Sequence, residues 1–324
     1  MIYRYLNIII FVFVLLIGEF AFGQQVPITN QYLVNPYSLS PAMAGYNQTS
    51  ELFIGYRKQW TAMPGSPKTS SINLNFPTGR RVWLGGNIVS DETDLFQNIY
   101  ASFSYTYILP VFKSSYLSFG LWGSVFQNSL NLTKINVAHN QDPLLLDKNK
   151  LVSTVFNSGT GINFCRNTLN VGILIPNLFV NRSNYEVEGA NNIFEIERQY
   201  IAYASYQIYL TTKWQLQPFI VFRSTKNINF NYDISTLIKY ENKYWLGVTY
   251  RQGSIIGLST GGELINKLTF NYTYEFSNNG FTGYTSGTHE FSIGYKLNIK
   301  HQIRNKGSGK YPLMMEYNSR KIKN

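Results

Sequence analysis

This sequence is poor in the residues that most protein chemistry uses. Among 324 residues there is one cysteine and there are three histidines. The single Cys165 excludes an intramolecular disulfide and a cysteine-based metal site. It falls inside a strand pattern and reads as an inert buried residue. His139, His289 and His301 make no cluster of the kind zinc needs. No glycine-rich phosphate loop opens a helix, and no Asp-rich calcium loop is present. Ser286 and Ser292 lie near His289 in sequence, but no nucleophile motif surrounds them. Neither catalysis nor a cofactor is expected. Charge is scarce too. Charged residues make up 14%, against about 25% for an ordinary soluble domain. Beyond residue 23 no apolar run reaches the roughly 20 residues that a membrane-crossing helix needs.

Aromatic residues are abundant, with 25 tyrosines and 22 phenylalanines. Little charge and many rings fit a protein whose outer surface does not meet water. Residues 1–23 have the layout of a secretory signal peptide. Arg4 supplies the positive region, Ile8 to Ile17 the apolar core, and Ala21-Phe22-Gly23 the small residues at the cleavage site. The mature chain is then expected to begin at Gln24. No cysteine follows that site, so lipid attachment is not expected.

Residues 24–50 show no clear period and read as an irregular, periplasmic lead-in. Alternation begins after them. Leu52, Ile54, Tyr56 and Trp60 alternate with Phe53, Gly55, Arg57 and Gln59. Ile228, Phe230, Tyr232 and Ile234 alternate with Asn227, Asn229, Asn231 and Asp233. In the last such stretch Phe291, Ile293, Tyr295 and Leu297 alternate with Glu290, Ser292, Gly294 and Lys296. A period of two is the mark of a strand, because successive side chains point to opposite faces. Fourteen such segments are countable, and Gln199 to Leu210 is the one with ambiguous facing. The last strand leaves an edge that needs a partner, and the first strand is the obvious one.

Connections alternate in length. Thr78-Gly79-Arg80, Arg166-Asn167, Thr211-Thr212, Glu241-Asn242 and Ile265-Asn266 are tight turns. Gln127 to Ser153, Asn177 to Arg198 and Ser277 to Tyr284 are long. This is the plan of a transmembrane outer-membrane β-barrel over residues 51–299. About fourteen antiparallel strands would be joined by short periplasmic turns and long extracellular loops. A propeller would show a repeat for each blade, and none is visible. A soluble sandwich would have turns of similar length at both ends. Closure removes strand edges, which lipid does not tolerate. An even strand number puts both ends of the barrel in the periplasm.

Tyr56, Trp60, Tyr107, Trp214, Tyr244, Tyr250 and Tyr295 are placed for interfacial aromatic girdles. Arg57, Arg223, Asp233, Arg251, Glu275, Glu290 and Lys296 fall on lumen faces. They are expected to form inward polar pairs that stiffen the wall rather than a selectivity ring. Gly85-Gly86 and Gly261-Gly262 read as places where strands bend. From Lys300 to Asn324 seven basic residues face one acid, Glu316, a net charge of +6. For an exported protein such a tail suits anionic envelope polymers rather than nucleic acid.

Several short motifs occur in order. Gln31-Tyr32, Asn35-Pro36 and Ser40-Pro41-Ala42-Met43-Ala44-Gly45 resemble the start of mature PorP/SprF family proteins. Tyr56-Arg57-Lys58-Gln59-Trp60 and Pro64-Gly65-Ser66-Pro67-Lys68-Thr69 continue the likeness. So do Pro176-Asn177-Leu178, Trp245-Leu246-Gly247, Tyr250-Arg251 and Ser286-Gly287-Thr288-His289-Glu290. The resemblance implies an outer-membrane barrel of the type IX secretion system of Bacteroidota, linked in many members to gliding motility. It implies an accessory role in exporting or anchoring large surface adhesins, with secretion and gliding proteins as partners. It carries over no catalytic residue. Trp60, Pro64, Gly65, Pro67 and Lys68 are the candidate partner-contact loop, expected to be ordered and on the outer side. The competing function is a passive or solute-specific porin.

Overall fold

In the computed structural model the described residues are 27–112, 114–134, 150–183, 194–225, 228–265, 267–277 and 285–297. The expected signal peptide, the basic tail, His139 and His301 lie outside them. The chain runs through β1 (Ser50–Lys58), β2 (Lys68–Pro77), β3 (Val82–Thr93), β4 (Phe96–Phe112), β5 (Ser115–Asn131), β6 (Lys150–Arg166) and β7 (Leu169–Ile175). A separate hairpin follows, β8 (Asn181–Ser183) with β9 (Phe194–Ile196). Then come β10 (Gln199–Tyr206), its continuation β11 (Ile208–Tyr209), β12 (Trp214–Thr225) and β13 (Ile228–Tyr240). The wall ends with β14 (Tyr244–Arg251), β15 (Ile255–Ile265), β16 (Leu268–Ser277) and β17 (Thr288–Leu297).

Wall neighbours are antiparallel, and β10 joins β7 to β12. The first and last strands pair in register from Ser50–Leu297 to Lys58–His289, which seals the ring. With β10 and β11 taken as one strand, the closed barrel has fourteen. Closure pairs the wall's backbone groups strand to strand, the condition lipid imposes on any β-structure that crosses it.

The alternation sorts side chains as an inverted protein. Phe103, Leu121, Phe156, Ile173, Leu246 and Ile293 stand exposed on the outside. Asn73, Ser104, Asn163, Thr249, Asn271 and Ser292 are buried on the inside. Water cannot explain an outer face of this kind; hydrocarbon can. Tyr56, Tyr250, Trp214, Tyr244 and Tyr295 are exposed near strand ends, where girdle residues belong.

One end of the barrel carries only short connections: 78–81, 113–114, 167–168, 210–213, 241–243 and 266–267. The opposite end carries the long ones, 59–67, 132–149, 176–198 and 278–287. Three connections at that outer end, 94–95, 226–227 and 252–254, are also tight. The loop expected from Gln127 shortens because β5 and β6 are 17 residues each and pair as far as Asn131–Lys150.

The lead-in departs from expectation. Residues 27–49 do not lie outside the barrel. They form three 3-10 turns, Gln31–Leu33, Pro36–Ser38 and Pro41–Met43, and these fill the lumen. We call residues 27–49 the strap.

Candidate functional site

The strap crosses the lumen from the outer end to the short-turn end. Asn30 touches Glu290 and Glu275, at the outer ends of β17 and β16. Lower down, Tyr32 meets Ser235 at 3.1 Å and Tyr37 meets Ser104 at 2.8 Å. Thr106 donates to the Pro41 carbonyl at 2.7 Å. At the short-turn end Asn47 donates to Glu51 at 3.0 Å. Asn30, Tyr32, Asn35, Ser40, Ala42 and Met43 are all buried. The start of β1 is at the periplasmic end as expected, but Pro27 is in the outer half of the barrel.

The wall is shaped to receive the strap. Tyr32, Leu33 and Met43 pack with Trp122, Leu174, Ile201, Tyr203, Phe219 and Val221. These inward apolar residues explain the ambiguous facing of β10, where Ile201 and Tyr203 point into the lumen. Gly120 lies against strap backbone: a Cβ there would sit 2.6 Å from the Ala42 nitrogen. A Cβ on Gly85 would overlap the Tyr37 hydroxyl. Gly85 therefore makes space for a ring, and the bend read from the sequence is not its role. Gly261 likewise faces the Trp245 ring.

At the outer end six of the seven expected lumen charges form one ladder. Arg223 Nη1 lies 3.0 Å from Asp233 Oδ2, and Arg251 Nε donates to Asp233 Oδ1 at 3.1 Å. Arg251 Nη1 donates to Glu275 Oε1 at 2.8 Å. Arg57 donates to Glu275 at 2.5 Å and to Glu290 at 2.9 Å. Gly257, paired with both Glu275 and Thr249, puts no side chain between β14 and β16. Three guanidinium groups oppose three carboxylates, so the ladder is neutral. Lys296 is not part of it; it binds Glu263 at 2.6 Å near the opposite end.

Asn30 ties the strap to this ladder through its backbone N–H and both atoms of its side-chain amide. Its backbone N–H is shared by the two oxygens of Glu290, at 2.9 Å each. Its Nδ2 donates to Glu275 at 2.6 Å, and its Oδ1 accepts from Arg251 Nη2 at 3.3 Å. Buried ion pairs contribute little net stability but are costly to break singly. The ladder therefore fixes the strap's position more than it adds to stability.

The candidate contact loop joins β1 to β2 at the outer end. Trp60, Pro64, Gly65 and Lys68 are exposed, and Pro67 is half-buried. The Thr61 N–H donates to the Gly287 carbonyl and the Ser286 N–H to the Thr61 carbonyl, both at 2.8 Å. The Asp94 N–H donates to the Gly65 carbonyl at 3.1 Å. Trp60 ends no strand; β1 stops at Lys58, and Trp60 and Ala62 take φ of 44° and 79°. Left-handed backbone at such residues costs about 1–3 kcal/mol each and persists only where the surroundings enforce it.

Among the described residues no serine–histidine pair forms. His289 Nδ1 is 2.8 Å from the Tyr272 hydroxyl, and Ser292 points into the lumen. Cys165 is a buried, inward-facing thiol.

The fold and its filled lumen define an outer-membrane β-barrel of the strap-occluded kind. In sequence, residues 21–295 match the family described as type IX secretion system membrane protein PorP/SprF. The chain belongs to that family, and its place is the outer membrane. No curated protein matches it significantly in sequence. Among solved structures, the CymD monoaromatic hydrocarbon channel is similar with a TM-score of 0.51 and 14% identity, over 86% of this chain and 96% of that one. The toluene transporter TbuX of Ralstonia pickettii gives 0.48 and 10%, over 81% and 93%. The toluene transporter TodX of P. putida gives 0.46 and 10%, over 82% and 92%. At such identities the likeness concerns fold alone.

Proposed function

We propose that this protein is a non-enzymatic, self-occluded barrel of the type IX secretion machinery that helps export or hold adhesin-like cargo at the cell surface. One observation supports this over a porin: the chain's own residues 30–47 cross the lumen from end to end and occupy most of it. A conduit for solutes needs an open path, and a docking platform does not. In the proposal, cargo and other secretion or gliding proteins meet the outer end, and Trp60, Pro64, Gly65, Pro67 and Lys68 form part of the contact. Two exposed left-handed residues held by neighbouring loops give that surface a fixed shape, as recognition requires. The basic tail is proposed to meet anionic polymers of the envelope.

Conductance separates the two readings. The purified barrel should be silent in a planar bilayer; steady ion flux through the intact protein would favour the porin. Deleting residues 61–67 should reduce adhesin display while the barrel still assembles. Normal display by that variant would remove the loop from the mechanism.

A further inference from the structure

Above the strap, at the outer end, is an open cup of about 120 Å³. The strap forms its floor with Ile28, Tyr32 and Leu39, and the wall its sides with Trp122, Leu174 and Ile201. The lining is mixed, with these aliphatic and aromatic groups beside Asn87, Ser102, Gln199 and Arg223, which suits a peptide with a polar backbone and apolar side chains better than a sugar. Two polar groups on the same lining lack hydrogen-bond partners. Asn87 Oδ1 is a buried acceptor with none. Arg223 is 6% exposed, and its Nη1 is near Asp233 but not directed at it, so it makes an ion contact without a hydrogen bond. Arg57 and Arg251 each reach two carboxylates, whereas Arg223 reaches one. Buried polar groups left this way require an explanation.

The chemistry of the missing ligand follows. Arg223 calls for an acceptor and Asn87 for a donor. The ladder is already neutral, so an added anion would leave buried net charge. A peptide backbone offers both groups without charge, and its side chains can fill the apolar remainder. We propose that the cup binds a short, uncharged, apolar stretch of polypeptide from a partner protein. This deepens the secretion reading and rests on it for the partner's nature. Because the strap is half of the cup, such a ligand also holds the strap in place.

The test uses the intact purified barrel and the probe acetyl-Leu-Val-Ser amide. Its all-D form controls for adsorption to detergent, and maltotriose stands for sugars. The L-peptide should bind saturably and at least about tenfold more tightly than the D-peptide. Ile201→Trp, which fills the cup, should abolish that preference; Arg223→Gln should weaken it several-fold. Equal binding of both peptides, preference for maltotriose, or unchanged binding by Ile201→Trp would overturn the proposal. So would a barrel that supports adhesin display and binds no peptide. Stereoselective binding by a barrel whose loss leaves display normal would keep the cup and overturn the secretion role.

Discussion

The wall and the strap are both ordered by burial, yet they follow opposite rules. In the wall, most polar side chains turn inward and most apolar ones outward, in alternation along each strand. In the strap, apolar and polar residues alike are buried, and no period exists. The wall solves a solvent problem, with hydrocarbon on one side and a polar lumen on the other. The strap solves a fitting problem inside a surface already made. A region fitted to a surface takes its pattern from that surface, and its own sequence carries little of it.

Breaking the ladder should have the largest effect on this contrast. Arg251→Met removes the group that links Asp233, Glu275 and Asn30. It leaves two buried carboxylates short of a partner, which should lower stability by about 3–5 kcal/mol. The loss would be read from thermal unfolding of the folded barrel. A loss under about 1 kcal/mol would mean that water reaches these groups freely.

The wall's outer rule can be tested separately. Val248 is in the middle of β14 and 52% exposed. Val248→Arg should cost about 2–4 kcal/mol if that face meets the hydrocarbon core. A neutral outcome would place it in water. The smallest change concerns the strap alone. Gly120→Ala sets a methyl group against the Ala42 backbone. The strap should shift while the wall stays closed, seen as intermittent conductance at nearly unchanged unfolding temperature. A silent barrel would show that the strap moves aside without leaving.

The same contrast explains what could be read from the sequence. The fourteen strands were legible because alternation is a local property, and closure followed because β17 and β1 needed partners. The lumen charges were legible by face: Arg57, Arg223, Asp233, Arg251, Glu275 and Glu290 do converge. Their meeting point at Asn30 was not, because it joins residues 245 and 260 positions apart. Nor was the strap, read as periplasmic because Gln24 to Ser50 has no period. Its trace was present in the strands opposite. Inward Ile201, Tyr203, Phe219 and Val221 break the polar rule, and Gly85 and Gly120 leave gaps a side chain would fill. These exceptions in the wall mark the strap's seat. Trp60 was misplaced in a strand for a similar reason. Its left-handed backbone is held in part from far along the chain: its N–H donates to Thr288 Oγ1, and the next residue, Thr61, is tied to Ser286 and Gly287.

The position of the strap is open to direct chemical measurement. The Ser40 hydroxyl lies 3.3 Å from where a Cβ on Gly161 would be, close to the sulfur-to-Cβ separation across a disulfide. With Cys165 replaced by serine, Ser40→Cys and Gly161→Cys should join on mild oxidation of outer membranes, and mass spectrometry should recover one peptide pair bridging residues 40 and 161. If both thiols instead remain free and react with a water-soluble alkylating reagent, the strap is not in the lumen.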